Sequence, residues 1–187
     1  MSAKTRHTVP KSVECHKRWR AGVFTAVGEI AEQVTADEAI ALQLYPSLRR
    51  FAAIVASPEM APDDLVHDAL VAALRCGPLS RLDMPGPYLR RAMINLASNH
   101  RRRLSRAHAA FRRLAAGSDS AANDHYPSDL AHLAVLDPTS RAVLYLHEVE
   151  GLSFEDIAVQ LELSPANARQ RAARSRRRLR SHLEEES

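Results

Sequence analysis

The chain has 187 residues, 45% of them apolar, 26% charged and 5% aromatic, with 26 Lys and Arg against 22 Asp and Glu for a formal charge of +4. This is enough apolar material for one or two small helical domains and excludes an unstructured polyelectrolyte. The longest apolar stretches, Phe51 to Ala56 and Ala69 to Leu74, fall far short of the roughly 20 residues that span a bilayer, so no membrane insertion is expected.

Abundant Ala, Leu, Arg and Glu, with few alternating β-branched runs, favour an all-α fold. Cys15 and Cys76 lack a second Cys or His at ligand spacing, so neither a disulfide framework, nor a metal site, nor a cofactor is signalled. Residues 21–34 carry Glu29 and Glu32 and no small-residue cleavage pattern, which argues against a secretory signal and for the cytoplasm.

Residues 1–34 read as an extension of unknown role, basic from Lys4 to Arg20 and holding the only tryptophan, Trp19. Thr35, followed by Asp37 and Glu38, predicts a helix start, with an apolar run through Ile40, Leu42, Leu44, Leu48, Phe51, Ala52 and Val55 that Pro46 should kink or restart. Pro62 with Asp63 and Asp64 opens the next helix, with Leu65, Ala69, Leu70, Ala73 and Leu74 as its apolar stripe and Asp64, His67, Asp68 and Val71 opposite. Cys76 to Pro87 reads as a loop. A long helix follows from Tyr88, with Leu89, Ala92, Met93, Leu96 and Leu104 inward and Arg90, Arg91, Asn95, Ser98, Asn99, Arg101 and Arg102 outward. Leu114 to Pro127 has the small polar composition of a flexible linker.

Beyond the linker, Ser128 and Asp137-Pro138 each predict a helix start, Gly151 a stop, and Ser153 with Asp156 a near capping box. Ile157, Ala158 and Leu161 should face inward, then Leu163-Ser164-Pro165 supplies a turn, a cap and a first helical residue. The final helix sets Ala168, Ala172, Ser175 and Leu179 on one side.

Charge is segregated along this plan. Arg90 to Arg113 holds eight arginines and no acid, Pro165 to His182 seven more and no acid, and Tyr126 to Leu163 seven acids against Arg141 alone. Two cationic segments around an acidic one suit two contacts with a polyanion. The last two helices, joined by a short turn, have the pattern of a helix-turn-helix whose second helix can enter the major groove. Asn167, Gln170, Arg171 and Arg174 could then reach base edges, while Arg169 and Arg178 lie where phosphate contact is more natural.

Asp156-Ile157-Ala158, Leu161, Leu163-Ser164-Pro165-Ala166-Asn167 and the tail from Arg169 to Leu179 resemble the carboxy-terminal DNA-binding domain of bacterial sigma factors, particularly the small extracytoplasmic-function class. Leu44-Tyr45-Pro46, Asp63-Asp64-Leu65-Val66-His67-Asp68, then Tyr88-Leu89-Arg90-Arg91 and Asn95 resemble that class's amino-terminal domain, so the resemblance covers residues 36–183. It implies two small helical domains joined by a flexible linker: an extension at 1–34, a region 2-like domain at 35–113, a linker at 114–127 and a region 4-like helix-turn-helix domain at 128–187. It further implies a promoter-specificity subunit rather than an enzyme. Its partners would be core RNA polymerase, through the clamp helices and flap, promoter DNA, and in many members an anti-sigma factor.

Carried onto this sequence, Asp64, His67, Asp68 and Val71 would face polymerase. Tyr88, Asn95, Asn99, Arg101 and Arg102 would meet the -10 element, and Asn167, Arg169, Gln170, Arg171, Arg174 and Arg178 the -35 element. The chain departs from the usual pattern with His67 for Gln, Pro62-Asp63 for Ala-Glu, Glu162 for Gly, and Ala168 and Ala172 for bulkier apolar residues. Small alanines predict weaker packing of the recognition helix. The rival reading is a helix-turn-helix regulator that binds duplex DNA without joining polymerase. A nuclease or recombinase would need converging carboxylates, and the Asp63, Asp64 and Asp68 group, on one turn of helix beside an apolar stripe, reads as a docking face instead.

Overall fold

A computed structural model describes residues 27–114 and 128–186; the expectations for residues 1–26 and for the linker from 115 to 127 lie outside them. In chain order the described residues form α1 (Val27–Val55), α2 (Pro62–Cys76), a 3-10 turn (Leu79–Arg81), α3 (Pro85–Leu114), a 3-10 stretch (Ser128–Val135), α4 (Pro138–Glu148), α5 (Phe154–Leu161) and α6 (Pro165–Glu186). No strand occurs among the described residues, and the fold is all-α, in two helical halves whose carboxy-terminal one ends in a helix-turn-helix.

Boundaries moved where the neighbourhood outweighs local signals. Thr35 lies inside α1 rather than capping it, because residues 27–34 continue the helix upstream. Pro46 neither kinks α1 into two elements nor restarts it: it sits exposed on a 29-residue helix that the buried stripe of Leu48, Phe51, Ala52 and Val55 carries past the missing N–H. The expected loop from Cys76 to Pro87 is shorter, since fully buried Leu79 draws its middle into a 3-10 turn and Pro85 takes the first position of α3. Leu74, expected in the stripe of α2, is 46% exposed, and Val66 is buried in the face that the stripe forms.

α1, α2 and α3 pack on one another, and α4, α5 and α6 form the second group. The two groups also pack together, α1 against α4 and α3 against both α4 and α5. Phe51, Leu65, Leu89 and Met93 therefore share a continuous buried cluster with Leu136, Val143, Leu146 and Ile157. Phe51 of α1 meets Tyr145 of α4 edge-to-face, with ring centroids 5.9 Å apart.

Candidate nucleic-acid interface

The carboxy-terminal half is organised by three side-chain caps. The Asp137 carboxylate accepts from Ser140 N at 3.0 Å, Ser153 Oγ from Asp156 N at 3.1 Å, and Ser164 Oγ from Asn167 N at 3.1 Å, each satisfying an orphan amide of α4, α5 or α6. Ser153 Oγ also donates to Asp156 Oδ2 at 2.6 Å, so the Asp holds the cap hydroxyl rather than reaching the backbone as Glu does in a full capping box. Between α5 and α6 the chain turns at Glu162, the one non-glycine residue with positive φ among the described residues, at φ 54° and ψ 44°. This left-handed conformation is what glycine would adopt freely.

The turn sets α6 across α4 and α5, with Ala168 and Ala172 fully buried, Ser175 buried and Leu179 half-buried. Gln170, Arg174 and Arg178 project into solvent from α6, as does Arg169, which pairs with Glu155 of α5. Asn167 and Arg171 are only half-exposed. Arg171 Nε donates to Asn167 Oδ1 at 3.1 Å and its Nη1 lies 3.5 Å from the Asp137 carboxylate, turning this guanidinium toward α4 rather than straight outward. Burial raises the pKa of Asp137, but the two Ser140 hydrogen bonds and the charges of Arg171 and Arg101 outweigh it, leaving the carboxyl below its ordinary 3.8.

In the amino-terminal half, Asp64, His67 and Asp68 form an exposed face of α2, with Val71 half-buried beside them. Asp63 stands apart from this face: Arg49 Nε at 2.8 Å and Tyr45 Oη at 2.6 Å both donate to it and lower its pKa. On α3, Asn95, Asn99, Arg101 and Arg102 are exposed and Tyr88 is half-buried. The inward face gains Ile94 and Ala97, both buried.

Arg90 and Arg91, expected to face outward, do not. Their side chains are 13% and 15% exposed because carboxylates of the carboxy-terminal half reach them. Arg90 makes a two-pronged pair with Glu150 at 2.8 and 2.9 Å, and Arg91 pairs with Glu162 at 2.7 Å. Arg101 Nη1 donates to the Leu136 carbonyl at 2.9 Å. The most buried cation among the described residues is Arg141 of α4, 3% exposed, which donates to Leu136 O at 3.1 Å within its own half and to Ala56 O at 2.6 Å beyond the end of α1. Arg101 apart, these seam residues were not singled out as functional in the sequence. Two signals were present: Arg141 is the lone cation of an acidic stretch, and Glu162 stands where glycine is usual.

The structure thus brings Arg101 and Arg102 of the -10 set and Arg171 of the -35 set to one cleft of about 610 Å³, which Asp137 also lines. It does not bring Asp64, His67 and Asp68 to that cleft. No group of His, Cys, Asp and Glu suited to a metal ion occurs among the described residues, and no helix there is long and apolar enough to cross a membrane.

A capped helix-turn-helix with an arginine-rich second helix makes up the carboxy-terminal half, a form that suits entry into a DNA major groove. Residues 131–179, from the 3-10 stretch through most of α6, match the family described as Sigma-70, region 4. The whole fold is similar to that of the sigma factor RpoE from Bartonella quintana, solved in complex with the anti-sigma factor NepR. The likeness has a TM-score of 0.58 and 23% identity over 79% of this chain and 96% of that one. No curated protein matches the chain. The fold is thus similar to that of a sigma factor, and a segment of its carboxy-terminal half matches region 4 of the Sigma-70 family.

Proposed function

We propose that the protein binds core RNA polymerase and directs promoter-specific initiation, reading the -35 element as duplex with α6 and opening the -10 element along α3. The observation that carries this reading is the region 4 helix-turn-helix joined to a second helical half within the fold of a sigma factor. On α6, Gln170 and Arg174 are free to seek adenine and guanine edges, whereas Arg169 and Arg178 suit phosphate. On α3, the arginines from Arg101 onward supply a cationic track for a separated strand, with Tyr88 as the nearby stacking ring. Residues 35–113 and 128–187 are the two working domains, joined through residues 114–127.

The exposed acidic face of Asp64, His67 and Asp68 is the polymerase-docking surface, and the clamp helices and flap are the polymerase elements it and the carboxy-terminal half engage. The solved relative's complex supports an anti-sigma factor as a further partner.

Asp64→Arg with Asp68→Arg reverses this face without touching the core, since both side chains are exposed. Co-purification with core polymerase should fall by tenfold or more, on the order of the 1.4 kcal/mol that each tenfold in affinity represents, while the circular-dichroism melt stays unchanged. Equal co-purification of wild type and double variant would remove this face from the interface. Duplex binding by a wild-type protein that never joins polymerase would favour the regulator reading.

A further inference from the structure

Several arginines of the described residues each meet a carboxylate of their own, as Arg90 meets Glu150, Arg91 Glu162, Arg169 Glu155 and Arg176 Glu148. The cleft of about 610 Å³ is different. Arg101, Arg102 and Arg106 of α3 and Arg171 of α6 line it, and Asp137 is the one acid in its walls. That carboxylate is already engaged by Ser140 N, by Ser140 Oγ and, at 3.5 Å, by Arg171. Arg101 donates to the Leu136 carbonyl and Arg106 to the Arg102 carbonyl. Among the described residues no carboxylate pairs with Arg101, Arg102 or Arg106.

Four guanidinium groups against one carboxylate leave an excess of three positive charges around a concavity large enough to hold a small molecule. Unmatched like charges repel one another, and an anion placed between them turns that repulsion into attraction. The hydroxyls of Ser98, Ser105 and Thr139 add neutral donors to the same walls. Thr139 also lies in the first turn of α4, so the positive end of that helix dipole adds to the field. Planar guanidinium forks suit phosphate oxygens two at a time. No aromatic side chain lines the cleft, so a base finds no ring to stack on, and a nucleic-acid strand would spread its charges singly along its length. A condensed phosphate instead gathers several charges in one compact group, with oxygens facing donors that converge from α3, α4 and α6.

We propose that this cleft binds a condensed phosphate, the di- or triphosphate group of a free inorganic anion or of a nucleotide, held by Arg101, Arg102, Arg106 and Arg171 with no recognition of a base. Asp137 offsets one charge and keeps Arg171 at the wall. The promoter reading is not needed for this site, whose occupancy is measured without polymerase or DNA, so either can fail without the other.

The test is calorimetric titration of the full-length protein with sodium tripolyphosphate, and separately with orthophosphate, ATP and GTP, at matched physiological ionic strength without magnesium. Tripolyphosphate should saturate one site per chain, with orthophosphate at least about tenfold weaker. ATP and GTP should bind like each other. Affinities equal to that of tripolyphosphate would make the phosphate chain itself the ligand, and exclusion of both nucleotides would make it the free anion. Arg102→Gln with Arg106→Gln, both exposed, should weaken tripolyphosphate by at least about tenfold at unchanged helical content. Arg177→Gln with Arg180→Gln removes the same charge from exposed positions of α6 outside the cleft and should bind as wild type does. Absence of saturable tripolyphosphate binding by the wild type would overturn the site. So would equal losses in the two double variants, which would assign the binding to net charge, or a nucleotide that binds at least about tenfold more tightly than tripolyphosphate, which would assign it to a base.

Discussion

Arg141 shows how much one side chain can decide. A guanidinium 3% exposed is tolerated because carbonyls surround it, from Leu136 and Ala134 in its own half and from Ile54 and Ala56 in the other. Arg141→Met keeps the bulk but leaves those oxygens buried and underused. The expected loss is about 3 kcal/mol in urea unfolding, and a loss below about 1 kcal/mol would mean that water replaces the guanidinium. Asp137 makes a pH-dependent contribution of determinable sign. Its carboxyl titrates below 3.8 in the folded protein, so its charge stabilises the fold fully above the ordinary value, and that contribution is lost as pH falls through the depressed native one. Asp137→Asn keeps an acceptor for the cap and removes only the charge. Wild type should therefore be the more stable of the two at neutral pH, with the gap closing as acid carries Asp137 through its titration; a gap that persists at the lowest pH would contradict this.

At the scale of elements, the recognition helix divides its arginines between jobs. Arg174 is exposed and Arg171 is half-buried against Asp137, so the two should not respond alike to truncation in this form. Arg174→Ala should cost about 1–3 kcal/mol of discrimination at a single base pair of the -35 site if it grips guanine in bidentate fashion, read from competition among operator variants; an equal loss on all duplexes would assign it to phosphate. The caps of α4, α5 and α6 were legible in the sequence because Asp137, Ser153 and Ser164 each act on an amide three residues away. The start of α1, its passage through Pro46 and the length of the loop before α3 were not, because buried Leu48, Phe51 and Leu79 decide them through partners distant in the chain.

For the whole molecule, the order of the halves was readable from charge and motif, and the region 4 match falls on the segment where those signals were densest. What could not be read was that the halves share a core and exchange ions. An amphipathic pattern tells which face is buried and not which helix buries it, so Arg90 and Arg91 looked solvent-facing until Glu150 and Glu162 were placed beside them. Of the candidate residues on α2, Asp64, His67 and Asp68 stayed where their helical spacing put them, exposed, with Val71 half-buried beside them. The most direct measurement is run-off transcription from a promoter library by core polymerase with and without the protein. A sigma factor should yield transcripts only when it is added, starting at a fixed distance from a shared pair of upstream elements; transcripts that do not depend on it, or none at all despite duplex binding, would contradict that role.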